Sequence, residues 1–246
     1  MANFCIHCGK DLKKEIGGCE KCNNVSIEIE TNKKKDITTI IIYFGLLFIL
    51  PIILVSVWAS SGGIVNFEIE DIPTWIFLTP IVIGLVLFTI MYWKTLVKDT
   101  KRLTKENIKF IGIMTGITLG INMALGLIFY HFDVTVDNQE SLIEIFTQAI
   151  IFSSFTMAIA APVVEEIVFR KAFNGLIEDT RIFILVSALV FGLLHWSGIA
   201  TISYIILGGL WAYTYIKTNR NLMAAIIVHF INNALGVFFL LIDYFL

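Results

Sequence analysis

A chain of 246 residues that is 57% hydrophobic and only 15% charged, with a mean hydropathy of +0.82, is not composed like a soluble globular domain. Such a domain carries charge on about a quarter of its residues. The net charge of -2 points to no partner, and no nucleic-acid partner is expected; how the charges are distributed says more.

The chain begins polar and cysteine-rich, with the stretch FCIHCGKDLKKEIGGCEKC. Cys5 and Cys8 form one CxxC pair, Cys19 and Cys22 a second, and ten residues separate the pairs. Each pair can offer two thiolates to one side of a tetrahedral ion, and the stretch between can fold back as a short hairpin. Four sulfurs in that arrangement suit structural Zn²⁺. Two disulfides are the alternative, and a cytoplasmic position, where thiols stay reduced, argues against them. His7 reads as a bystander. The stretch resembles the short zinc ribbons at the N-termini of many bacterial membrane proteins, which implies a metal and an unknown protein partner. Residues 1–24 are therefore expected to form a zinc ribbon, folded by its metal because so short a chain has no core of its own. Polar, lysine-rich residues 25–36 read as a linker.

From residue 37 the pattern changes to successive apolar stretches near the length of about 20 residues that crosses a bilayer. Seven spans are expected: 37–59, 75–93, 110–130, 142–177, 182–195, 199–216 and 222–244. No cleavable secretion signal is expected, because the first apolar run is long enough to span and stay. The fourth stretch is too long for one straight crossing and should be kinked, tilted or extended beyond the lipid. The fifth and sixth are short. Gly112, Gly116 and Gly120, spaced by four, predict close helix packing along the third. The fold class is thus all-α, a polytopic transmembrane bundle after a small zinc ribbon.

Lys33, Lys34 and Lys35 precede the first span, and Lys94, Lys98, Lys101, Arg102, Lys105 and Lys109 lie between the second and third. Arg181, Lys217 and Arg220 fall in later loops on the same side, whereas loops 60–74 and 131–141 hold acids but no Lys or Arg. Positive charge favours the cytoplasmic face, which puts the N-terminus in the cytoplasm and the C-terminus outside.

Ionisable residues within a membrane are costly and ask for a reason. The fourth stretch contains APVVEEIVFRKAF, with Glu165, Glu166 and Arg170 just after Pro162. Glu166 and Arg170 are four apart on one helical face, acid first, the favourable order for an ion pair. Glu165 is turned about 100° away and gets no such partner, which leaves it free to accept a proton. Downstream, FGLLHW places His195 four residues after Phe191, and HFINNALG places His229 four residues before Asn233. Asn232, three residues on, is nearly as close in angle to His229, so spacing alone leaves the two asparagines open. Glu165 and His195 each lie about 15 residues from the turn at Thr180, or about 22 Å along their helices. Counted from Arg220, His229 and Asn233 reach about 14 and 20 Å. Three helices can therefore converge on one buried polar site.

The order EExxxR, FxxxH, HxxxN on successive apolar helices resembles the CAAX-prenyl-endopeptidase and bacteriocin-processing family, the type II CAAX proteases also called the Abi or CPBP family. The resemblance runs from about Phe146 onward. The stretch YIILGGLWAYTYIKTNRNL is similar to the family's glycine-containing helix and polar turn, though Ala212 stands where a second spaced glycine is common. On this resemblance residues 37–141 are N-terminal membrane helices and residues 142–246 the catalytic core. Glu165 would activate water, His195 would hold or polarise it, and His229 with Asn233 would donate to the oxyanion. Glu166 and Arg170 would support them. Glu165, His195 and His229 could in principle hold Zn²⁺ instead. A metal-free site is preferred, because Asn is a poor zinc ligand but a good donor. The implied partners are the lipid bilayer and a peptide or membrane-protein substrate, which need not be prenylated. The alternative is a catalytically idle scaffold or bacteriocin self-immunity protein. A transporter with a Glu165–His195 proton relay would call for paired inverted repeats, which the sequence does not display.

Metal analysis of the full-length chain should find about one zinc per molecule, and deletion of residues 1–23 should remove it. Zinc that survives the deletion would instead place a metal in the membrane. Reporter fusions test the orientation: one after Lys101 should report cytoplasm and one after Asp137 the exterior. The opposite result at either point contradicts the charge argument.

Overall fold

The computed structural model describes residues 2–5, 26–29, 32–63, 72–132 and 149–246. Among the described residues, seven helices follow a short antiparallel strand pair. Strand β1 (Ala2–Cys5) pairs with β2 (Ser26–Ile29) with Cys5 opposite Ser26. The stretch expected to be a linker therefore contains a strand, and its end, from Lys33, is already helical. Cys8, Cys19 and Cys22 lie outside the described residues.

The helices are α1 (Lys33–Ser61), α2 (Thr74–Lys101), α3 (Lys105–His131), α4 (Ile150–Leu176), α5 (Thr180–Leu194), α6 (Thr201–Lys217) and α7 (Leu222–Phe245). Side-chain oxygens at four of the starts accept first-turn amides: Asn32 from Lys35, Thr104 from Asn107, Asp179 from Arg181 and Ile182, and Asn221 from Ala224. Each cap satisfies a donor that the helix cannot satisfy itself.

Among the described residues six helical stretches are long and apolar enough to cross a membrane, the sixth-helix stretch beginning at Gly198. The expectation of seven spans is reduced at α5. Its 15 residues rise about 22 Å, short of a hydrocarbon core about 30 Å thick. This helix instead enters from the Thr180 end and α6 returns to it. Arg220, just beyond α6, donates from Nε to Asn174 Oδ1 at 2.9 Å and from Nη2 to Thr180 Oγ1 at 3.3 Å. Asp99 of α2 ties the same end together: its Oδ2 accepts the Leu222 amide at 2.9 Å, and its carbonyl accepts Asn221 Nδ2 at 2.8 Å. The turns from which depth was counted thus lie at one level.

The close approach of α5 and α6 depends on glycine. A Cβ on Gly192 would lie 2.2 Å from Ile205 Cγ1 and 2.9 Å from its backbone nitrogen. The glycines of α3 do not behave in this way. A Cβ at Gly112, Gly116 or Gly120 meets nothing within 4 Å, and α3 buries Ile111, Met114 and Thr118 instead. The spacing was right for a seam, but the helix turns its other face to the bundle.

Helix α4 lies at the centre: Ile167, Val168, Phe169 and Arg170 are wholly buried. It is not a straight rod, because two stretches, Thr156–Ala160 and Ile167–Ala172, widen into π-turns. The first follows from Pro162, which supplies no N–H and whose ring crowds the preceding turn. Ala161 accordingly bonds five residues back, to the Thr156 carbonyl. The same device recurs in α1, where Leu50, just before Pro51, bonds to Gly45. Kinking was one of three alternatives expected for this stretch, beside tilt and extension beyond the lipid, and the π-turns are where its regular ladder is interrupted.

Candidate active site

Three helices deliver the polar residues to one place. The paired glutamates and Arg170 come from α4, His195 caps the C-terminal end of α5, and His229 and Asn233 lie on α7. A cavity of about 1080 Å³ opens beside them, walled by Glu165, His195, His229, Asn232 and Asn233 and, around these, mainly by apolar side chains.

The two glutamates occupy different environments. Glu166 is wholly buried and forms a forked ion pair with Arg170, Nε to Oε2 at 2.8 Å and Nη2 to Oε1 at 3.2 Å. The i,i+4 spacing makes the pair, as the sequence spacing predicts. The remaining Arg170 nitrogen donates to Ser187 Oγ on α5, and Ser187 donates to the Phe169 carbonyl at 2.9 Å. Glu165 keeps 13% of its side chain exposed, on the cavity wall.

Each oxygen of Glu165 faces a different imidazole. Oε1 lies 4.0 Å from His195 Nε2, and Oε2 lies 3.7 Å from His229 Nε2. The other nitrogen of each ring is anchored. His195 Nδ1–H donates to the Phe191 carbonyl at 2.8 Å, since a carbonyl can only accept. In the neutral ring Nε2 is therefore a lone pair directed at Glu165. His229 Nδ1–H donates to Glu166 Oε1 at 3.1 Å, because a carboxylate held by arginine likewise accepts only. His229 Nε2 can then carry a proton only when the ring is an imidazolium.

Aromatic rings fix both imidazoles in plane. His195 is layered between Phe191, at 4.4 Å between centroids, and Tyr204, at 5.0 Å. His229 stacks on Trp211 at 3.6 Å and meets the edge-on ring of Phe191 at 6.0 Å. Asn233 donates from Nδ2 to the Met157 carbonyl at 3.0 Å.

All six membrane residues singled out in the sequence are thus drawn together: Glu165, Glu166, Arg170, His195, His229 and Asn233. Several neighbours were missed. Ser187 stands eight residues before His195, and Ser203, Leu207 and Trp211 follow one another at steps of four on α6. Repeats of four along a helix share a face, so this spacing was the available signal. Among the described residues no three His, Cys, Asp or Glu side chains lie close enough together to hold a metal ion.

The fold and the site together define a polytopic helical membrane protein with a carboxylate–imidazole centre inside the bundle. Comparison with known proteins places that centre in context. The sequence model of the family described as "Type II CAAX prenyl endopeptidase Rce1-like" matches residues 147–235, which contain all six residues. The chain is also 25% identical over 213 residues to a Bacillus subtilis (strain 168) protein named "Putative membrane peptidase YdiL". That alignment covers 82% of this chain and 85% of the relative. No solved structure matches significantly.

Proposed function

We propose that the chain is a membrane-embedded endopeptidase in which Glu165 activates water for attack on a peptide bond. The observation that carries the reading is Glu165, the one carboxylate on the cavity wall among the described residues, with Nε2 of two anchored histidines 4.0 and 3.7 Å from its oxygens. A gap of 4.0 Å is too long for a hydrogen bond. It fits one bridging water, since two bonds of about 2.8 Å meeting near a right angle span it. Such a water gives one hydrogen to Glu165 and the other to the His195 lone pair, leaving an oxygen lone pair for a bound carbonyl. The resemblance to the Rce1-like family and to the relative named as a peptidase supports the same chemistry.

In the reaction the water oxygen bonds to the carbonyl carbon, and its proton passes to Glu165. The carbonyl electrons move to oxygen. Asn233, with a second Nδ2 hydrogen beyond the one given to Met157, supplies one donor to that oxyanion, and His229 supplies another when protonated. Collapse breaks the C–N bond, and Glu165 returns its proton to the departing amine. The products are a carboxylic acid and an amine, and transfer of the acid's proton to the amine leaves a carboxylate and an ammonium ion. The reaction is drawn without a metal because Asn233 is a good donor and a poor zinc ligand.

Glu166 and Arg170 hold this arrangement: Glu166 orients His229, and Arg170 neutralises Glu166. The mainly apolar cavity suits a peptide or membrane-protein segment entering from the lipid. The charge pattern supports a cytoplasmic N-terminus, and the spacing of the four cysteines supports a Zn²⁺ ribbon ahead of the membrane.

Replacing Glu165 separates this role from a structural one. In cells carrying Glu165→Gln, membrane proteomics should reveal peptides left uncleaved relative to wild type, and these supply the substrate. With it, purified Glu165→Gln should be normally folded and at least about a hundredfold slower, the scale of general-base catalysis. Glu166→Gln should instead be scarce or poorly folded, because it leaves Arg170 charged and buried, at about 3–5 kcal/mol. A well-folded but inactive Glu166→Gln beside a fully active Glu165→Gln would reverse the two roles. Full activity in both would end the peptidase reading.

A further inference from the structure

We infer that Asn122, on α3 and outside residues 147–235, is a positioning residue that fixes which end of the Asn233 amide faces the substrate. The inference rests on the peptidase reading above and extends it to a helix that carries none of the expected motif residues.

It begins with a carbonyl that Pro162 leaves without a helical partner. In a regular turn the Met157 oxygen would accept the Ala161 amide, but that amide bonds to Thr156. The next residue, Pro162, has no N–H to offer. The Met157 oxygen accepts instead from Asn233 Nδ2 at 3.0 Å. A carbonyl cannot donate, so the amine end of the Asn233 amide must face it.

The polarity then passes outward one asparagine at a time. With Nδ2 on Met157, Asn233 presents Oδ1 to Asn232, whose Nδ2 donates to it at 3.3 Å. Asn232 in turn presents Oδ1, which accepts Asn122 Nδ2 at 2.7 Å, the shortest link of the three. Every amide donates in the direction of Met157. Reversing one would set oxygen against oxygen at one contact and hydrogen against hydrogen at the next.

Of the two hydrogens on Asn233 Nδ2, one goes to Met157. The other is the donor available to a carbonyl in the cavity that Asn233 and Asn122 both line. Rotated by half a turn, the same side chain would offer Oδ1 and repel a developing oxyanion. Asn122 opposes that rotation from the far end, since Asn232 without it loses the donor that holds its own oxygen outward. An amide on a membrane-facing helix is otherwise a cost.

The test uses the full chain in phospholipid nanodiscs, labelled with ¹⁵N-asparagine, and a peptide left uncleaved in Glu165→Gln membranes. Asn122→Leu should shift the side-chain NH₂ resonance of Asn233, and kcat should fall about tenfold, the scale of one hydrogen bond. KM should stay unchanged, and Asn122→Gln, which keeps the donor, should restore most of the rate. In an Asn233→Ala background Asn122→Leu should cost nothing further, because residues acting through one another are not additive. A packing role alone would predict losses that multiply. An unmoved Asn233 resonance, or multiplying losses, overturns the inference. If wild type and Glu165→Gln show no difference in cleavage, the peptidase reading fails, and the resonance decides the asparagine relay by itself.

Discussion

The ion pair between Glu166 and Arg170 is the interaction on which the rest of the site depends. Both side chains are wholly buried, where a lone charge would be untenable. Their mutual neutralisation lets a carboxylate persist at the centre of an apolar helix. That carboxylate then orients His229 by accepting from Nδ1. Arg170 reaches Ser187, and so fixes α5, the helix that carries His195, against α4. One salt bridge thereby sets the position of two histidines on two other helices. Glu165, next in sequence and about 100° away around the helix, is left at the cavity with both rings before it.

The irregularity of α4 belongs to the same design. Pro162 disrupts the ladder one turn before the glutamates, and the disruption frees the Met157 carbonyl that Asn233 meets. At the opposite end of the bundle Asp99, Arg220 and their partners hold the starts of α5 and α7 at one level. Rises of about 22 Å from that level bring Glu165 and His195 to one depth, and rises of about 14 and 20 Å bring His229 and Asn233 up beside them. The backbone disruption and the polar clamp together locate the site along the membrane normal.

Much of this was legible from spacing. The residues EExxxR fix an i,i+4 pair whatever the neighbours, and counting from polar turns was enough to predict that three helices meet. Where tertiary packing decides, the sequence was less informative. The glycines of α3 have the spacing of a packing seam, yet which face a helix turns inward depends on its neighbours, and α3 turns Met114 and Thr118. The apolar pattern of α5 does not by itself reveal that the helix stops short of a full crossing. The strand Ser26–Ile29 was legible in the alternation of Val25, Ile27 and Ile29 with Ser26 and Glu28, a signal outweighed by the polar, lysine-rich stretch that follows it. Asn122 could not be connected to Asn232 at all, because 110 residues separate them in the chain.

The central claim is that Glu165 delivers water and does not itself attack the peptide. Single-turnover cleavage in ¹⁸O-water tests it directly. The account predicts one ¹⁸O in the new carboxylate of the product and none in the Glu165 side chain. Label in the Glu165 carboxylate would mean that this residue had formed a covalent acyl intermediate later opened by water, and would contradict the account.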